Sequence, residues 1–469
     1  MDFQRNKTQI FIVNICFLLI PVSFILGNTF INLNIIFILL SCFFFFKTQI
    51  FKINLSFIDK IVLILFAYIS INGVLNNFFN FNFPDSHNQN MILEKSLMFL
   101  RFLLLYFVIK FLIYRNIINY KFIFLSFGFC SLFVSIDVLI QFLSGTDLFG
   151  YESYGRRLGG PFGEEKVAGA FIQRFFLFLP FFLLLFVKFK NKLYFNLFLF
   201  LILIFTLIGS VLSGNRVPFI MLLLMYLTLF VFERSFRKNL ALVFSILIIG
   251  FIFILMEPTV WRHHYKNFAT ESTKIIKYLK NKTTTGKIIG VPDYCKNIDL
   301  TDDNNPFKKK CSKWLNVHIK EIESGILTWQ QNKLFGGGIK SFRWHCNKID
   351  RSKMLYFVSI RGNVNCNNHP HNYYLQIAAE LGIVGILLIL FLFLSILTKG
   401  IKSMRLSNIS FQEKKILIAF LTVFALEIFP LKTTGSFFTT ANTTFLFIIL
   451  SFVVGLINKV NFNYKEKIK

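Results

Sequence analysis

The run with most chemical potential is His369, Pro370, His371 and Asn372, which continues without a helix breaker from Tyr373 and Tyr374 to Glu380. Pro370 holds the residue before it extended and Asn372 is a good N-cap, so the spacing predicts a helix starting at Tyr373 with His371 just ahead of it. Free N–H groups and the positive dipole end at such a start attract anions. An uncharged imidazole beside a phosphate-like ligand is a potential base. The competing reading of these four residues is a turn with a cap.

Cationic candidates lie elsewhere in the chain. Arg216 sits in the short connection Ser213, Gly214, Asn215, Arg216 between two apolar runs, where it either snorkels to headgroups or projects into a cavity. Arg156 and Arg157 precede the glycine-rich stretch from Gly159 to Gly169; they could grip an anion or pair with Glu164 and Glu165. Arg343 follows Gly336, Gly337 and Gly338, in a stretch from Trp329 to Cys346 that reads as an amphipathic helix ending in a glycine turn. Of the seven histidines, only His371 combines a helix start with a membrane edge; His318 is the reserve. Arg101, Asp137 and Glu427 fall in or at the ends of apolar runs and are expected to face the protein interior, Arg101 with Asp137 as a pair.

The elements that must position these residues are membrane helices. With 469 residues, 55% hydrophobic content, 65 Phe and a mean hydropathy of +0.61, the chain is too apolar for a soluble domain. Runs long enough to span a bilayer fall at about 8–27, 29–46, 60–77, 96–114, 121–143, 167–187, 194–212, 217–232, 239–256, 375–398, 414–430 and 438–457. The expected fold is an all-α polytopic membrane protein of about twelve transmembrane helices. Residues 1–256 hold nine helices, 257–374 form one large extracytoplasmic loop domain, and 375–469 hold the last three helices and a tail. Lys and Arg gather in every second connection, from Arg5 and Lys7 to Lys459 and beyond, which puts both termini in the cytoplasm. The formal charge of +28 then divides between an anchoring set and a basic external loop, and nucleic acid is not needed to explain it.

Cys295, Cys311, Cys346 and Cys366 all fall in the long loop, an even number where disulfides persist. Cys295–Cys311 and Cys346–Cys366 are the preferred pairs among three connectivities. A zinc site using His345 and His369 is the rival, without CxxC spacing to support it. No Walker or dinucleotide glycine motif occurs.

Taken together, these pieces resemble the O-antigen ligase and polymerase family of bacterial envelope glycosyltransferases. The resemblance is carried by Gln141 to Asp147 with Arg157 to Glu165, by Ser213 to Arg216, by Leu334 to Gly338, by His369 to Leu375 with Glu380 to Gly385, and by Phe429, Pro430 and Thr434 to Phe438. It implies a twelve-helix fold in the inner membrane with a periplasmic loop, no cofactor and no metal. It also implies a glycan donor carried on undecaprenyl diphosphate and an acceptor hydroxyl on lipid A–core for a ligase, or on another repeat unit for a polymerase. By position, His371 matches the catalytic His and Arg216 the Arg at the short external turn. Arg157 and Arg343 become further candidates for the donor diphosphate, and Asn372, Tyr374 and Glu380 support the motif. The family also relies on a long-loop Arg, often four residues before Trp329. Here that residue is Gly325, so the role passes to Arg343 or Arg262. A transporter is the reading from another class, disfavoured because the membrane charges lie toward span ends rather than at the midplane.

Overall fold

The computed structural model describes residues 7–78, 86–153, 157–256, 270, 273, 317–349, 366–407, 409–432 and 435–468. Cys295, Cys311, Arg156, Arg262 and most of 257–374 lie outside them, as does the side chain of His318. Among the described residues the regular secondary structure is helical, apart from one isolated bridge between Thr146 and Glu152. Nine helices among the described residues are long and apolar enough to cross a membrane: α1 (Lys7–Leu26), α2 (Asn28–Phe51), α3 (Phe57–Phe78), α4 (Asn90–Tyr114), α5 (Tyr120–Ser144), α6 (Ala168–Phe186), α7 (Lys192–Leu212), and, after the loop, the helices beginning at Tyr373 and Thr440. Between them, α8 (Arg216–Phe232) and α9 (Arg237–Met256) belong to a pair bent by 111° at Glu233. The loop contributes α10 (Val317–Gln331) and the short α11 (Phe342–His345); α12 (Tyr373–Met404), α13 (Phe411–Glu427) and α14 (Thr440–Ile468) complete the order.

Each of the twelve expected runs is therefore helical, with a smaller count of clear spans. The bent α8–α9 pair passes the length and hydropathy test only together, and α13 has 17 residues.

Apolar solvent gives helices no hydrophobic reason to associate, so close packing must do it. A Cβ on Gly128 or Gly209 would clash with Leu179 or Ser135, so α5–α6 and α5–α7 cross at distances only glycine allows. Phe rings fill the remainder, with Phe420 stacked on Phe452 at 4.5 Å and Phe99 edge-on to Phe438 and Phe447.

Polar contacts distinguish the two ends of the bundle. At one end Lys110 and Tyr106 bond Asp59, Asn458 reaches Ser56 and Lys399 lies over Phe57. At the other, Gln376 bonds Ser436, Tyr374 bonds the Ile428 carbonyl and Arg174 bonds Glu427. Arg101 and Asp137 are not partners, contrary to expectation: Arg101 reaches Thr440 at 3.4 Å, while Asp137 accepts the Leu148 N–H at 3.0 Å and helps to fold the loop after α5.

α12 does not run straight. Gly382 has φ +66°, which breaks the helix. The chain at Lys333 to Gly338 enters that break and takes over the freed backbone groups. Gly338 N–H donates to Glu380 carbonyl at 2.8 Å and Gly337 N–H to Ala379 carbonyl at 3.4 Å. In return, Ile383 N–H reaches Lys333 carbonyl at 2.8 Å and Val384 N–H reaches Leu334 carbonyl at 3.3 Å. A backbone polar group in a bilayer needs such a partner. Tyr68 and Asn72 of α3 cap the joint by donating to the Phe335 carbonyl at 3.1 and 2.7 Å. The glycine turn thus follows the end of α10 at Gln331 and locks into α12, instead of terminating a helix that begins at Trp329.

Gly382→Ala puts a side chain on a left-handed residue and against the Leu334 carbonyl. Backbone strain alone costs about 1–3 kcal/mol, so the variant is expected to melt at lower temperature in detergent. An unchanged melting temperature would contradict the interlock.

Candidate functional site

At the end of the bundle marked by Gln376 and Arg174, Asn372 caps α12 as its residue type requires. Its side-chain oxygen accepts the N–H groups of Tyr374 and Leu375 at 3.0 and 3.2 Å, and its amide donates to the Pro430 carbonyl at 2.8 Å. His371, one residue earlier, takes the left-handed conformation with φ +48° and leaves its side chain 38% exposed. Tyr374 donates to the Ile428 carbonyl. The first turn of α12 is thereby tied to the chain leaving α13.

A third tie is ionic and was not foreseen. Glu427, fully buried, accepts from the Tyr373 hydroxyl at 3.0 Å, from Arg174 of α6 at 2.6 and 3.2 Å, and from Lys432 at 2.6 Å. Arg174 also donates to Asn442 at 2.7 Å and lies over the Phe445 ring. Two cations on one carboxylate leave a net positive charge beneath the His371 turn. Burial pushes the Lys432 ammonium down from its ordinary value, with Glu427 opposing that shift.

Glu380 is buried on the adjoining turns of α12, where it accepts the Lys340 N–H at 2.7 Å and the Gln376 amide at 3.0 Å. Gln376 in turn donates to Ser436 at 2.9 Å and accepts the Phe437 N–H at 2.8 Å. The motif pieces around Glu380, the glycine turn and Ser436 to Phe438 are thus one hydrogen-bonded assembly.

Opposite His371 stands α10. Gly325 allows it to approach the histidine turn closely, since an added Cβ would lie 3.2 Å from Pro370 and 3.4 Å from Leu375. A disulfide joins Cys346 to Cys366, five residues before His371, with a Cα separation of 5.7 Å. Those two sulfurs are consequently not free to bind metal. Arg343, half-buried on α11, lies over the Trp344 ring at 5.7 Å, and its Nε is buried without a partner among the described residues. Burial, with His371, Lys340 and Arg343 close enough to add to it, pushes the His369 imidazole down to about 4. His345, packed on Gly337, is pushed to about 4 by burial and Lys348. Lys340 is lowered by burial, with Arg343 and Lys95 adding to the shift and Glu380 opposing it. Lys95, Lys340 and Arg343 therefore make this side of the site cationic.

Arg216 begins α8 on the same end of the bundle. Its turn packs on the start of α6, because a Cβ on Gly169 would clash with Ser213 and Asn215. Arg174, which reaches Tyr373, lies five residues on, a rise of roughly 7.5 Å along that helix. Arg157 stands exposed on the preceding loop, with no ion pair to Glu164 or Glu165 among the described residues.

Such a bundle is that of a polytopic membrane protein, with a capped histidine turn and several cations gathered at one end. Residues 199–390 match the family model described as O-antigen ligase, a match that supports assignment to the O-antigen ligase and polymerase family. The matched segment contains Arg216, Glu321, Arg343, His371 and Glu380, whereas Arg157, Arg174, Glu427 and Lys432 lie outside it. No curated protein matches the chain.

Glu427→Gln leaves Arg174 and Lys432 buried without their counter-charge, a loss of about 3–5 kcal/mol; poor folding or a much lower melting temperature in detergent is expected, and a wild-type melting curve would contradict the tie. A second outcome concerns pH. His345 and His369 bind their protons near 4 when folded against an ordinary 6.5, so the unfolded chain binds more protons between those values. Their contribution is complete above about 6.5 and is lost as pH falls toward 4. Between pH 7 and 5 the wild type should therefore lose more melting temperature than His345→Gln does; an equal slope in the variant would contradict it.

Proposed function

We propose that this protein transfers a glycan from undecaprenyl diphosphate to an acceptor hydroxyl, as an O-antigen ligase acting on lipid A–core in the periplasmic face of the bacterial inner membrane. The observation carrying this reading is that the Arg216 turn and His371 share one end of the bundle, opposite the connections rich in Lys and Arg. By the charge bias of membrane loops, that end faces away from the cytoplasm.

In the proposed reaction the acceptor oxygen attacks the anomeric carbon while His371 takes its proton. The bond from that carbon to the diphosphate oxygen breaks, and the electron pair leaves with the lipid diphosphate. Attack opposite the leaving group inverts the anomeric centre. Arg216 and Arg343 are assigned to the developing negative charge, with Arg157 able to join them from its exposed loop. A diphosphate held this way is already a good leaving group, so the step needs neither ATP nor a metal. Asn372, Tyr374 and Glu380 hold the turn and the interlocked loop in place.

Polymerisation is the alternative, since a repeat-unit hydroxyl could take the place of the lipid A–core hydroxyl in the same step. Gel analysis of the envelope after gene deletion separates the two. Lipid-linked polymer accumulating beside bare lipid A–core is expected for the ligase, single capped repeats for the polymerase; unchanged glycan with altered solute uptake would overturn both. His371→Ala should reproduce the deletion at normal protein level, and normal surface glycan in that variant would remove His371 from the reaction.

A further inference from the structure

Glu321 on α10 is a largely buried carboxylate that the proposed chemistry does not use. Its Oε1 lies 3.4 Å from Nε2 of His371, and the carboxylate is only 12% exposed. The Asn367 amide donates to the same oxygen at 3.0 Å, and Asn367 directly follows the disulfide-bound Cys366. Gly325 is four residues after Glu321, hence on the same face of α10. Contact between Gly325 and Pro370 brings that face down on the histidine turn, with Glu321 one helical turn away beside Nε2 of His371. A larger side chain at 325 would hold the helix off. Three independent features therefore place this carboxylate: a glycine approach, a disulfide and an amide brace.

We propose that Glu321 is the positioning residue of His371, accepting the Nε2–H so that the ring keeps one tautomer and one orientation. A carboxylate can only accept, so the proton stays on Nε2 and the lone pair is left on Nδ1. Nδ1 is then the atom that receives the acceptor hydroxyl's proton, and Glu321 stabilises the imidazolium formed during transfer. The ring returns that proton to water after the lipid diphosphate departs. The Asn367 amide also lies 3.5 Å from Nε2, a distance comparable to the carboxylate's 3.4 Å, but its shorter contact, at 3.0 Å, is donation to the Glu321 oxygen.

This proposal rests on the reading of His371 as the base, and the test separates the two. Glycan transfer is measured in membranes carrying the full chain, with the native lipid-linked donor and the acceptor identified from the gels, for Glu321→Gln, Glu321→Asp and His371→Ala. Glu321→Gln should lower kcat about 10- to 100-fold with KM little changed. Glu321→Asp should recover part of the loss, which a merely structural role would not produce. Full activity in Glu321→Gln beside an inactive His371→Ala overturns the role of Glu321 alone. An active His371→Ala overturns the base itself. Loss in Glu321→Gln without recovery in Glu321→Asp, or with reduced protein level, makes the carboxylate a packing group and also overturns the proposal.

Discussion

The constraint on which the rest depends is the need to satisfy backbone and charge where a membrane helix begins. α12 starts at a capped turn and breaks soon afterwards at Gly382, where Leu381 and Gly382 are buried and the freed backbone groups need partners. The chain at Lys333 to Gly338 fills that break, so the external loop is built into the helix and does not merely lie over it. Gly336, Gly337 and Gly338 are needed because Glu380, His345 and Ile92 occupy the space that side chains would take. With Glu380 bonded to the Lys340 N–H, α11 and its Arg343 are set in position relative to the histidine turn.

The buried Glu427 cluster acts on the same turn from beneath. Arg174, Lys432 and Tyr373 converge on one carboxylate, so α6, α13 and α12 meet where the helix starts. The excess of cations costs desolvation energy that a neutral core would avoid. In the proposed function, an anionic substrate bound near this end would lower that cost.

Much of the architecture could be read directly from residue order. Apolar runs located the membrane-length helices and the α8, α9 and α13 segments, though not α10 or α11, and the cap at Asn372 was legible because capping chemistry is local. An even set of loop cysteines suggested a bond between Cys346 and Cys366, which is present. The features that were missed are nonlocal. Arg174 sits in a strongly apolar run 253 positions from Glu427, and nothing nearby marks its partner. Gly382 reads as an ordinary membrane glycine until the loop that enters the break is seen. Glu321 depends on how closely α10 approaches, a property of Gly325 and its neighbours in space. Arg101 and Asp137 looked like partners only because both are charges in apolar runs; Arg101 instead reaches Thr440 and Asp137 the Leu148 N–H, with Arg101 Nε and Asp137 Oδ2 left without a partner among the described residues.

The central claim is a single displacement in which one imidazole takes a proton and several cations hold the departing diphosphate. It is tested most directly by nuclear magnetic resonance of the linkage made by the purified protein, compared with the anomeric configuration of the donor. The account predicts inversion. Retention of configuration would require a second displacement through a covalent glycosyl intermediate and would contradict it.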